Sequence, residues 1–154
     1  MKRIFNLSRG FSLIELLIVI TIVGVLSTII LSSISNSRAR AYDSKIKQQL
    51  SSFRTAAEIY FTNQTPNSYN TTGSPITSCA NGIFNDVDAV NGAPGLYIAP
   101  GNLPDFAQPV CGAADSGSAY AVKATLYSGN EYWCVDNKGS SRMVSDGSLA
   151  TFCP

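Results

Sequence analysis

The chain contains no histidine. That removes the commonest general base and the commonest imidazole metal ligand in one stroke. Charge is scarce: only 14% of residues are Asp, Glu, Lys or Arg, against roughly 25% in an ordinary soluble domain. Three of the eleven basic residues open the chain, where MKRIFNLSRG holds Lys2, Arg3 and Arg9 and no acid. Eleven basic residues less those three leaves eight, against ten acidic ones, and a nucleic-acid binder needs a basic patch or stripe. No direct nucleic-acid binding is therefore predicted. Close cysteine pairs are missing too. Cys79, Cys111, Cys134 and Cys153 stand 32, 23 and 19 residues apart, which is not the C-x-x-C spacing of zinc sites. An even number of well-separated cysteines points instead to two disulfides formed in an oxidising compartment. Four cysteines allow three pairings, and the sequence does not choose among them. Pairing neighbours in chain order, Cys79 with Cys111 and Cys134 with Cys153, is preferred.

No nucleotide loop, G-x-S-x-G elbow or carboxylate pair with a base beside it occurs either. The chain reads as a non-enzyme that requires no cofactor and no metal. Asp86 and Asp88 in DVD, and Asp136 and Asn137 in VDNKG, invite a calcium reading because hard cations take oxygen ligands. Neither matches D-x-[DN]-x-[DN]-G, and turn chemistry accounts for both.

What is present is one long apolar run, Phe11 to Leu31, interrupted by a single acid, Glu15. About 20 residues at 1.5 Å each span a hydrocarbon core. Basic residues before the run place its start on the cytoplasmic side. An ordinary secretory signal has a shorter apolar region followed by a small-residue cleavage site, and SSISNSRARAYD after this run has no such site. A carboxylate near a bilayer centre costs roughly 2.5–3.5 kcal/mol, so Glu15 calls for a partner; the alternatives are snorkelling to the interface or protonation.

From Arg38 to Asn63 there is no Gly or Pro. Tyr42, Ile46, Leu50, Phe53, Ala57 and Tyr60 recur at steps of three and four, which is one helical face. The pattern predicts one helix from about Phe11 to about Asn63, roughly 80 Å at 1.5 Å per residue, stopped before Pro66. Arg38 and Arg40 suit an interfacial anchor. Residues 64–117 are rich in turn formers, with GIFNDVDAV as one short helix. AYAVKATLY, EYWCVD and SRMVS, separated by SGN and NKG, predict a three-stranded antiparallel meander. One of its faces, carrying Tyr120, Val122, Ala124 and Leu126, covers the amphipathic helix. Trp133 reads as core or subunit packing, or else as an exposed adhesive contact. Asn63 in NQT and Asn70 in NTT match the glycan-acceptor pattern, and the tail DGSLATFCP reads as stapled to the head through Cys153. The expected fold is α+β: a long N-terminal helix on a small antiparallel sheet. Its parts are residues 1–10, 11–33, 34–63 and 64–154: leader, transmembrane helix, amphipathic helix and globular head.

RGFSLIEL at the start of the apolar run resembles the class III signal of type IV pilins and type II secretion pseudopilins. Glycine, aromatic and glutamate stand at fixed offsets before a membrane-length helix. The resemblance is close from Arg9 to about Leu31 and looser beyond. It implies that a prepilin peptidase cuts between Gly10 and Phe11 and methylates the new Phe11 amine. It also implies that Glu15 pairs with the Phe11 amine of an adjacent subunit as helices bundle into a helical homopolymer. The partners so implied are further copies of the chain, the peptidase, and a pilus or type II secretion assembly machinery. The implied location is the inner membrane as a single-pass precursor with its head outside, then a surface filament. Many type IV pilins carry a proline about twenty-two residues into the mature chain, where the helix bends or melts. This sequence has Leu31-Ser32-Ser33 there, with Gly24, Ser27 and Thr28 as weak helix formers upstream. A pseudopilin of a short envelope-bound filament and an anchored binding domain that never polymerises are the alternatives.

Overall fold

The computed structural model describes residues 10–127, 129–148 and 150–154, without the side chains of 31–33. The expected leader, apart from Gly10, lies outside the described residues. Two compact units divide the chain, one ending at Arg38 and one running Ala39–Pro154. A single helix, α1 (Leu13–Asn63), contributes to both.

The second unit is built on the amphipathic half of α1. Ile46, Leu50, Phe53, Ala57 and Tyr60 are buried, as their spacing predicts. Tyr42, the first residue of that series, is not: it remains 41% exposed. Its ring meets the rings of Phe106 (5.6 Å, edge-on) and Tyr127 (5.9 Å, stacked), both themselves exposed. Asp43 beside it accepts a 2.8 Å hydrogen bond from the Tyr127 amide.

Four strands, not three, form the sheet: β1 (Pro109–Ala113), β2 (Tyr120–Thr125), β3 (Tyr132–Asp136) and β4 (Ser141–Val144), antiparallel and in chain order. Tyr120, Val122 and Ala124 of β2 point into the core shared with α1, where Phe53 stacks on Phe84 and meets the Tyr120 ring edge-on. Trp133, opposite Ala124 in the register, packs half-buried at the rim of this core, with the Lys47 ammonium 4.7 Å from its ring centre. Arg54 ties the β3–β4 turn to α1 through the Gly139 carbonyl and the Ser141 hydroxyl.

The stretch expected to be one short helix, GIFNDVDAV, is two 3-10 turns, Gly82–Asn85 and Ala89–Asn91. The break falls at Asp86 and Asp88, whose carboxylates accept from the amides of Asp88 and Val90. Such side-chain bonds to local backbone compete with helix. A four-residue helix, α2 (Gly95–Ile98), follows. Disulfides join Cys79 to Cys111 and Cys134 to Cys153. The first ties this loop region to β1. Replacing Cys79 and Cys111 by serine is expected to lower stability of the second unit by about 3–4 kcal/mol, the chain-entropy value for loops of this size. Thermal unfolding followed by near-UV circular dichroism measures it, and an unchanged midpoint would show that β1 and the helix hold the loops unaided.

The opposite face of the sheet is also covered. Ala121 and Cys134 are buried there with Val144 and Cys153, under the C-terminal segment 145–154. Gly147 sits where that segment crosses Tyr132; a Cβ at this glycine would lie 2.6 Å from the phenol oxygen.

Candidate functional site

The first turn of α1 carries Glu15, the one acid in the run Phe11 to Leu31. Ser12 is the last residue before the helix, and its carbonyl accepts from the amides of Glu15 (3.1 Å) and Leu16 (3.3 Å). The Glu15 carboxylate reaches back, its Oε2 taking a 3.0 Å hydrogen bond from the Ser12 amide. This is the carboxylate half of a capping box, in which a residue three places into the helix satisfies an orphan amide before it. An acid in the first turn is also favoured by the helix dipole. Glu15 therefore has an acceptor role within its own chain that the sequence reading missed, although S-x-x-E at 12–15 is the signal for it. Among the described residues its second carboxylate oxygen accepts no hydrogen bond.

Gly10 and Phe11 precede the helix and are exposed. A Cβ added to Gly10 would meet nothing within 4 Å, and its φ lies outside the left-handed range. Among the described residues nothing requires glycine at this position. The same holds for Gly24, in mid-helix, where glycine costs about 1 kcal/mol relative to alanine.

Every large apolar side chain from Phe11 to Ile30 is exposed, Leu13 by 87% and Phe11 by 79%. Among the described residues of this unit nothing covers them. Full burial of each such side chain is worth about 1.5–3 kcal/mol, so this surface needs lipid or other helices around it. The polar residues in the run have been made compatible with either. The Thr21 hydroxyl donates to the Ile18 carbonyl (2.8 Å), Ser27 to Val23 (2.7 Å) and Thr28 to Gly24 and Val25 (both 3.0 Å). A hydroxyl bonded back to its own helix presents no unsatisfied donor to an apolar surrounding. The helix is continuous across these residues, so local melting here is no feature of the isolated chain. The helix is long and apolar enough to cross a membrane.

The remaining sequence candidates sort by burial. Asn70 is buried, its amide nitrogen donating to Ser74 and Ala114 carbonyls and its oxygen accepting from Thr72, so this acceptor pattern is consumed by the fold. Asn63 is exposed at the end of α1, its amide donating to the Val90 carbonyl. Among the described residues no three His, Cys, Asp or Glu side chains converge as a metal would need.

Residues 5–31 match a family model described as the prokaryotic N-terminal methylation motif. A search of curated proteins and a search of solved structures each found no match. The matched stretch supports a type IV pilin-like family, a structural one. With the apolar helix it fits a membrane-anchored precursor.

Proposed function

We propose that this chain is the structural subunit of a type IV pilus-like filament, cut between Gly10 and Phe11 and polymerised through the first half of α1. The observation that carries the reading is the uncovered apolar surface from Phe11 to Ile30, headed by a glutamate in the first turn. In lipid that surface is satisfied. In a bundle of identical helices it exchanges lipid contacts for helix contacts, and Gly24 permits close approach between backbones. A patch docking on a different patch of the next copy gives an open helical polymer.

Cleavage frees an ammonium on Phe11, next to the Ser12 amide that Glu15 already caps. The Glu15 oxygen that accepts no hydrogen bond among the described residues is then the acceptor for the Phe11 ammonium of an adjacent subunit. Such a pair, in a low-dielectric bundle, sets the axial register, because leaving either charge unpaired there is strongly unfavourable. Subunits are added by separate machinery.

The motif serves a type II secretion pseudopilin equally well, and cellular location separates the two. The deciding measurement is the intact mass of the protein in filaments sheared from its native cells. The expected mass is that of residues 11–154 plus one methyl group and less four hydrogens, for two disulfides. A mass retaining residues 1–10 would overturn the processing. Absence from the sheared fraction, with the trimmed chain in the envelope, would select the pseudopilin.

A further inference from the structure

Lys123 is the buried lysine of this fold, 3% exposed, and the filament reading makes no use of it. It lies on the face of β2 turned away from α1, opposite Val110 and Cys134 in the register. An ammonium has three donors. Among the described residues, that of Lys123 has one hydrogen-bond acceptor, the backbone carbonyl of Asp146 at 2.9 Å. Burial pulls its pKa down, and the negative charge of Asp146 only partly offsets this. A buried charge with donors to spare is costly unless something accepts from it.

Lys123 lines a cleft of about 460 Å³ between the C-terminal segment and the β1 side of the sheet. The size falls in the usual range for small-molecule sites. Its other walls are largely apolar: Pro75, Ile76, Ala113, Ala150 and Phe152. The Asp146 carboxylate, also on the rim, is turned to Ser148, accepting from both its amide and its hydroxyl. A larger groove of about 800 Å³ beside Cys79 and Cys111 has no buried charged side chain on its wall. The cleft at Lys123 thus combines one ammonium, an acidic rim at Asp146 and an apolar body.

We propose that this cleft binds a small monocarboxylate, its anionic end on the Lys123 ammonium and its apolar body against Ile76 and Phe152. The Asp146 carboxylate at the rim already offsets part of the Lys123 charge, so the cleft suits at most one further negative charge. A dianion such as phosphate would meet Asp146 with about twice the repulsion that a monocarboxylate does. The site lies wholly in the second unit, and its failure would leave the filament reading intact.

The test is saturation-transfer NMR on the full-length protein in non-ionic micelles, with benzoate as probe and benzyl alcohol as its neutral counterpart. Saturable benzoate binding is expected, with a dissociation constant on the order of 1 mM. Lys123→Met is expected to weaken it about tenfold or more, and comparison with this variant subtracts uptake by the micelle. Asp146→Asn leaves the backbone carbonyl in place and removes the rim charge, and is expected to tighten benzoate about two- to fivefold. The alcohol should respond to neither substitution. Should Lys123→Met fail to fold, the Asp146→Asn comparison decides alone. Non-saturable benzoate signal, equal binding of acid and alcohol, benzoate affinity unchanged by Lys123→Met in a folded protein, or no tightening by Asp146→Asn would each overturn the proposal.

Discussion

Glu15→Ala is expected to leave the protein in the membrane fraction and to abolish filaments. The run from Phe11 to Leu31 stays apolar, so export and anchoring persist; removing an acid makes membrane residence easier. Assembly loses the acceptor for the neighbour's ammonium. Stripping one partner from a buried pair typically costs 3–5 kcal/mol, about 150- to 5,000-fold in the equilibrium for adding each subunit. The capping role of Glu15 complicates Ala alone, because that variant also frees the Ser12 amide. Glu15→Gln separates the two. Glutamine can still accept from Ser12, since Glu and Gln serve equally in a capping box, but it carries no charge. If charge pairing drives assembly, Gln fails as Ala does. If the carboxylate matters only as a cap, Gln assembles normally. Filament yield after shearing, against the membrane-fraction level of each variant, is the measurement. Normal filaments from both variants would remove Glu15 from the assembly step.

The sequence made the helix and the sheet legible because each obeys one period. Ile46 to Tyr60 repeat at three and four and are buried; Tyr120, Val122 and Ala124 repeat at two and are buried. What stayed hidden was decided by contacts between distant segments. PVCGA, strand β1, has a proline, a glycine and no alternation, and reads as loop. It is a strand because β2 pairs along its whole length and Ile76 bridges to Ala113 on its other side. Tyr42 fits the helical face but stays 41% exposed, its ring against the exposed rings of Phe106 and Tyr127. Lys123 and Asp136 fall on the face of an alternating strand that normally meets water. They are buried because residues of the C-terminal tail, Asp146 and Cys153 among them, lie over that face, which no local pattern announces. At the first turn of α1 the signal was present: S-x-x-E spells the cap, and the apolar run simply drew attention away from it.

Asp136 is where that covering layer is fastened, and Asp136→Ala is expected to cost the second unit about 4 kcal/mol or more. The carboxylate is buried. Its Oδ1 accepts from the amides of Lys138 (3.0 Å) and Ser140 (2.9 Å), shaping the β3–β4 turn. Its Oδ2 accepts from the Cys153 amide at 3.0 Å, holding the tail beside the Cys134–Cys153 disulfide. Hydrogen bonds to a charged acceptor contribute about 1.5–3 kcal/mol each, and alanine would strand all three donors. Against a total stability of about 5–15 kcal/mol this is a large fraction. Asp136→Asn should cost less: its oxygen can serve the turn, but its NH2 then faces the Cys153 amide, donor against donor. The two variants also fix the sign of the pH response. Burial alone would raise the pKa of Asp136, but the Cys153, Ser140 and Lys138 donors outweigh it and hold the group below its ordinary value. A depressed carboxylate stabilises the fold above the unfolded pKa of about 3.9, and that contribution is lost as pH falls through the lower folded value. Thermal midpoints from near-UV circular dichroism should therefore drop for the wild type as pH falls below about 4. Asp146, also depressed through Ser148, contributes to that drop in every variant, so the part due to Asp136 is the difference from Asp136→Asn. That variant should start lower at neutral pH and fall less. Parallel curves for the two proteins would mean that Asp136 is not the group whose ionisation holds the tail to the sheet.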